Sequence, residues 1–157
     1  GCNSVELSDA LRVGLESTIL LTAGFLRATR SWQADRRVLN ISSGLGRRAM
    51  AGSAVYCAVK AAMDHFSRAV ALDESHRTGN SGGSAARIVS LAPGVIDTDM
   101  QLQLRTADSA GFPAQDYFRQ QHAEGLLASA ADSATRILAY LTRPDFGEEP
   151  VADIRTV

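Results

Sequence analysis

Tyr56 and Lys60 stand four positions apart in a helix-forming run, and Ser43 stands thirteen positions before Tyr56. That spacing puts the tyrosine and the lysine on one helical face, a turn apart. An isolated phenol titrates near ~10, so alone it exchanges protons poorly at neutral pH. An ammonium beside it favours the phenolate and brings the group toward the working range. A serine hydroxyl from a neighbouring loop is suited to bonding an oxygen that gains or loses charge. The three side chains together suit proton transfer to or from a carbonyl or alcohol oxygen. The plain alternative is a tyrosine capping the core beside a solvated lysine.

The elements that must position this set are readable in outline. Arg37–Ile41 is a short apolar run between charged and Ser/Gly-rich residues, and it reads as a buried parallel strand. Ser43 then falls at the carboxyl end of the strand, where open α/β sheets place their binding crevices. Ser42 reads as a structural hydroxyl. Gly44-x-Gly46 is a turn and lacks the glycine spacing of a phosphate loop. A helix over 53–75 carries the apolar stripe Val55, Val59, Ala62, Met63, Phe66 and Val70, with Asp64, His65 and Arg68 on its other faces. His65 reads as a solvated or interface position.

An earlier helix spans 10–31, with Leu11, Leu15, Ile19 and Leu26 at helical spacing and Ser8-Asp9 as its N-cap. Residues 78–84 read as a flexible connection, and a strand over 86–91 ends at Pro93-Gly94. A helix over 130–142 places Ala134, Ile137, Leu138 and Leu141 on one face and stops before Pro144. A last strand covers 151–154. Strands alternating with helices imply an α/β fold with a parallel sheet in three Rossmann-like layers, in one domain over 1–157.

Bulk composition narrows the function classes. With 45% hydrophobic and 21% charged residues, the 157-residue chain has ordinary globular composition. A net charge of −1 gives no electrostatic case for nucleic acid or an anionic membrane. Arg36-Arg37 and Arg47-Arg48 read as solvated loops. Cys2 and Cys57 are the two cysteines, one near the terminus and one inside a helix, so no disulfide is expected. His76 and His122 have no partners at metal-ligand spacing, and no metal site is expected. No stretch reads as a signal peptide or membrane span, so a cytoplasmic protein is expected.

Asn40-Ile41-Ser42-Ser43-Gly44, then Tyr56-x-x-x-Lys60-Ala61-Ala62, then Ala92-Pro93-Gly94-Val95-Ile96-Asp97-Thr98, resembles the short-chain dehydrogenase/reductase family. A bare Y-x-x-x-K is a weak signal, but the serine spacing and the P-G-x-x-x-T make the combination specific. The Tyr-Cys-Ala-x-Lys-Ala-Ala run and the Asp-Thr-Asp-Met ending look most like the sepiapterin reductase and benzil-reductase-like branches. The resemblance implies Ser43, Tyr56 and Lys60 as the catalytic set. Tyr56, Lys60, Pro93, Gly94, Ile96 and Thr98 would sit at a nicotinamide cofactor, NADP by the sepiapterin-like likeness with NAD left open. The substrate would be a small carbonyl compound, touched by Ser43, Met100 and Asp153. In this family the region 100–128 closes over substrate. Met100, Leu102, Phe112, Tyr117 and Phe118 are there either as pocket lining or as packing of that lid.

The family also carries an asparagine in the middle of its long crossover helix, where it kinks the backbone and anchors a relay water. Gly14 takes that position here, able to supply the irregularity but not the amide. Members pair as homodimers through two long helices, here 10–31 and 53–75. The likeness maps to the C-terminal half of the family, without the Gly-rich phosphate turn. A fragment of an ordinary enzyme and a short, catalytically inactive paralogue serving as a helix-mediated dimerisation or interaction module are the two explanations. Either leaves the strand at 37–41 as an exposed sheet edge.

Overall fold

A computed structural model describes residues 3–81 and 84–157. The chain opens on a helical rod made of α1 (Ser4–Leu11), a π-helical turn (Arg12–Glu16) and α2 (Ser17–Ala28). The rod begins earlier than the sequence pattern indicates. The Asn3 side chain accepts from the Val5 and Glu6 amides while Glu6 reaches back to the Asn3 amide, a complete capping box. Ser8-Asp9 is therefore inside the helix. Ala28 is its last residue and Thr29 its cap, so it ends three residues before the expected stop at residue 31.

After the rod come β1 (Arg37–Ile41), a 3₁₀ turn (Gly44–Gly46), α3 (Ala54–Ser81), β2 (Arg87–Ala92), α4 (Asp99–Thr106), α5 (Gln115–Ala123), α6 (Ala130–Thr142) and β3 (Val151–Asp153). The three strands form one parallel sheet in the order β1-β2-β3, with Arg37 opposite Arg87 and Ala92 opposite Asp153. Both connections cross over through helices, as parallel pairing requires. The expected α/β fold with a parallel sheet is the observed one.

β2 is central and buried on both faces, which is why it reads as a continuous apolar run. Val89 and Leu91 pack with Tyr140 of α6, Phe146, Ala152 and Ile154. On the opposite face Ile88 is fully buried, and Val59 and Met63 of α3 are buried as well. β1 is an edge, and its last residue Ile41 is 45% exposed.

Three details depart from the sequence reading. The α6 inner face is Ser133, Ile137, Tyr140 and Leu141, while Ala134 and Leu138 face solvent. Tyr140 displaces the aliphatic face because its ring packs at 5.4 Å on Phe146 while Arg143 covers it from outside. Helix α3 runs on past residue 75, through Thr78-Gly79 to Ser81, where a loop is expected. Buried Glu74 anchors that end, and propagating an anchored helix costs little per residue. Gly82 and Gly83 of the expected loop lie outside the described residues. The basic pairs are not simply solvated. Arg36 is buried against Glu74, and Arg37 donates to the Leu141 and Arg143 carbonyls. No helix among the described residues is long and apolar enough to cross a membrane.

Candidate active site

The carboxyl ends of the three strands gather the residues singled out above. Ser43 follows β1 in extended geometry, and its Oγ accepts from the Leu45 amide at 3.2 Å to open the 3₁₀ turn. Gly46 in that turn lies against α3. A Cβ there would stand 3.0 Å from the Lys60 carbonyl and from Asp64 Oδ2, so only glycine lets the turn approach so closely.

Helix α3 presents Tyr56 and Lys60 one turn apart. The Lys60 Nζ lies 5.7 Å from the Tyr56 ring centroid and donates to the Ile41 carbonyl at 2.8 Å. Tyr56 is 37% exposed. Burial pushes the Lys60 pKa down, and the charge on Asp64 opposes that shift. The ammonium thus bridges the tyrosine to the end of β1, two residues before Ser43.

Pro93 and Gly94 follow β2, with Gly94 in the left-handed region at φ 83°. Ile96 is half-buried and bridges to Ala128, while Thr98 precedes α4 with an exposed hydroxyl 3.5 Å from the Ile96 carbonyl. Asp153 ends β3. Arg155 grips it with two side-chain bonds at 2.8 and 2.6 Å, and that cation holds the carboxyl below its usual range. The Asp153 carboxylate is therefore already engaged within the chain.

The region 100–128 separates into packing and exposed parts. Phe112 and Phe118 are buried and stack at 5.7 Å, and a Cβ on Gly52 would meet the Phe112 ring at 2.8 Å. This segment therefore folds down on the start of α3. Met100, Leu102 and Tyr117 remain exposed and available to a ligand.

Asp64 is the site residue that periodicity misplaces. It is 2% exposed and accepts from Ser42 Oγ at 2.5 Å and Ser90 Oγ at 2.7 Å. Arg47 approaches its other oxygen at 3.5 Å and donates to the Ala152 carbonyl, so Arg47 spans the sheet end instead of a solvated loop. The signal was the 56-60-64 spacing, which puts Asp64 on the same face as Tyr56 and Lys60. Ser42 has the structural role expected of it.

Two open grooves lie elsewhere. One of about 530 Å³ is lined by Phe25, Trp32, Arg36 and Leu141, and one of about 470 Å³ runs along the rod by Leu11, Leu15 and Ile19. Neither includes Ser43, Tyr56 or Lys60. Among the described residues no group of His, Cys, Asp and Glu is arranged to hold a metal ion.

The short chain dehydrogenase profile matches residues 2–109, which take in the serine, the Tyr-x-x-x-Lys and the Pro-Gly segment. The chain belongs to the short chain dehydrogenase family. The benzil reductase ((S)-benzoin forming) of Bacillus cereus is 34% identical over 151 residues, covering 96% of this chain and 59% of that protein. The sepiapterin reductase of Rattus norvegicus is 32% identical over 142 residues, covering 90% of this chain and 50% of that protein. The chain spans about half the length of the curated relatives it matches. The crystal structure of the KRED1-Pglu enzyme superposes with a TM-score of 0.77 at 22% identity, covering 92% of this chain and 58% of that one. At that identity the likeness speaks to the fold alone.

Proposed function

We propose that the protein is an NADP(H)-dependent reductase of a carbonyl or diketone, a pterin side-chain ketone included, with Tyr56 as proton donor. The observation that carries this reading is the Tyr56–Lys60 pair, tied by the lysine to the end of β1 beside Ser43. The residues present fit a nicotinamide cofactor. Lys60 gives one of its three N–H groups to Ile41 and has others to offer ribose hydroxyls. Gly94 leaves the backbone after β2 without a side chain, and the Ile96 backbone and Thr98 hydroxyl follow it at the same sheet end. When bound, that cofactor supplies the hydride. The chain's part is the proton: Tyr56 gives it to the carbonyl oxygen, which becomes the alcohol. Ser43 orients that oxygen, and the Lys60 ammonium stabilises the negative charge left on Tyr56.

The sepiapterin and benzil reductase likeness favours NADP and a compact diketone or pterin substrate contacted by Met100 and Asp153. The working form in this reading is a cytoplasmic homodimer joined through the α1–α2 rod and α3. In the full-length protein, consumption of NADPH and NADH is followed with benzil and with sepiapterin. Tyr56→Phe is expected to lower turnover about 10²–10⁴-fold at an unchanged melting temperature. Retained turnover overturns the assignment.

A second reading has its own support. The open edge at β1 and the exposed Val13, Leu20 and Leu21 on the rod suit a protein-interaction module. A native mass that always includes a different chain, with no nicotinamide binding, favours it over catalysis.

A further inference from the structure

We infer that Asp64 is a positioning residue for the proton-transfer set, acting through Lys60 and Ser42; this rests on the catalytic reading above. Three residues at successive helical turns, Tyr56, Lys60 and Asp64, line the face of α3 that looks at the sheet end. The same layer buries the apolar side chains of Ile88 from β2 and of Val59 and Met63 from α3. A carboxylate in such a layer is costly unless it is hydrogen-bonded and faced by positive charge.

Here both conditions hold, and the partners are all site elements. Oδ1 takes hydroxyl protons from Ser42, the neighbour of Ser43, and from Ser90 of the central strand. Oδ2 is buried without a hydrogen bond of its own and faces Arg47 at 3.5 Å. The Lys60 ammonium, one turn away, is favoured by the same negative charge. Among the described residues, the charged and titratable groups around Lys60 are Tyr56 and Asp64 on its helix, with Arg47 across from Asp64 in the turn after β1.

Directional bonds therefore join the helix bearing Tyr56 to the strand end bearing Ser43. An apolar contact of equal size would let the helix slide. The bonds from Ser42 and Ser90 to one oxygen fix how far Tyr56 stands from the serine. The charge on the carboxylate keeps a half-buried lysine protonated, and a cofactor ribose and a developing phenolate both need that cation.

The test uses Asp64→Asn and Ser42→Ala in the full-length protein, with Tyr56→Phe as the activity control. Asp64→Asn keeps the shape and removes the charge. The titration of Lys60, followed by NMR of labelled lysine side chains, is expected to move to lower pH in Asp64→Asn and to stay in place in Ser42→Ala. Both variants are expected to lose kcat, by about 10²-fold for a displacement near 1 Å, with KM for the carbonyl substrate little changed. An unmoved Lys60 titration in Asp64→Asn overturns the inference. So does full kcat in Ser42→Ala, which also serves if Asp64→Asn fails to fold. The NMR titration needs no turnover. Should the unsubstituted protein reduce no carbonyl, the catalytic reading fails while the Lys60 titration still decides the role of Asp64.

Discussion

A Cβ placed on Gly14 would lie 2.6 Å from Val59 Cγ1, so the π-helical turn of the rod and the helix carrying Tyr56 touch with no room between them. In an open helix, Gly→Ala stabilises by about 1 kcal/mol. Here overpacking costs about 1–3 kcal/mol and decides the sign, because a helical valine has one strongly preferred rotamer and cannot turn away. Gly14→Ala is expected to lower the urea unfolding free energy by about 1–2 kcal/mol. Adding Val59→Ala should restore part of that loss. Additive single effects in the double-mutant cycle would show that the contact is not the cause.

Ser43 is a site residue with little structural duty. Its hydroxyl accepts one bond, from the half-buried turn amide of Leu45. Ser43→Ala should cost stability by about 1 kcal/mol or less. It should reduce kcat by about 10²-fold or more if the hydroxyl holds the reacting oxygen. A melting curve and a carbonyl-reduction assay on the same preparation separate the two effects.

Glu74 holds a buried cation in place. It pairs with Arg36 at 3.1 Å, accepts two bonds from Arg77 and takes the Ala86 amide. Glu74→Gln leaves Arg36 buried beside a neutral amide, and a loss of about 3 kcal/mol is expected. The Arg77 hydrogen bonds, then the Ala86 amide, hold the Glu74 carboxyl below its ordinary 4.5. Its contribution is therefore complete above that value and is lost as pH falls through the lowered native value. Denaturant midpoints measured downward from pH 5 should fall less steeply in Glu74→Gln than in the unsubstituted protein.

Gly147 turns the chain into β3 at φ 90°. A Cβ there would meet Arg87 Cβ at 2.6 Å and its Cα at 3.2 Å, atoms that cannot swing aside. Gly147→Ala combines left-handed strain of about 1–2 kcal/mol with that clash. It should destabilise by at least about 2 kcal/mol in urea unfolding, whereas Gly125→Ala, with open space around its Cβ position, should show the strain alone.

Much of this molecule was legible from local pattern. The strand at Arg37–Ile41 and the helix at Ala130–Thr142 coincide with their apolar runs and breakers, because burial of a strand or of one helix face leaves a period in the residue types. The Ser-Tyr-Lys spacing pointed to proton transfer for the same reason: helical geometry sets which side chains share a face. The family likeness implied a backbone irregularity around Gly14, and a π turn lies there.

What stayed hidden depends on atoms brought from afar. Asp64 reads as a polar interruption until Ser42 and Ser90, 22 and 26 residues away, supply the protons that let a carboxylate be buried. Arg36 reads as a loop residue until Glu74, 38 residues on, neutralises it. A polar group's burial is decided by its partners, and partners distant in the chain leave no period in the sequence.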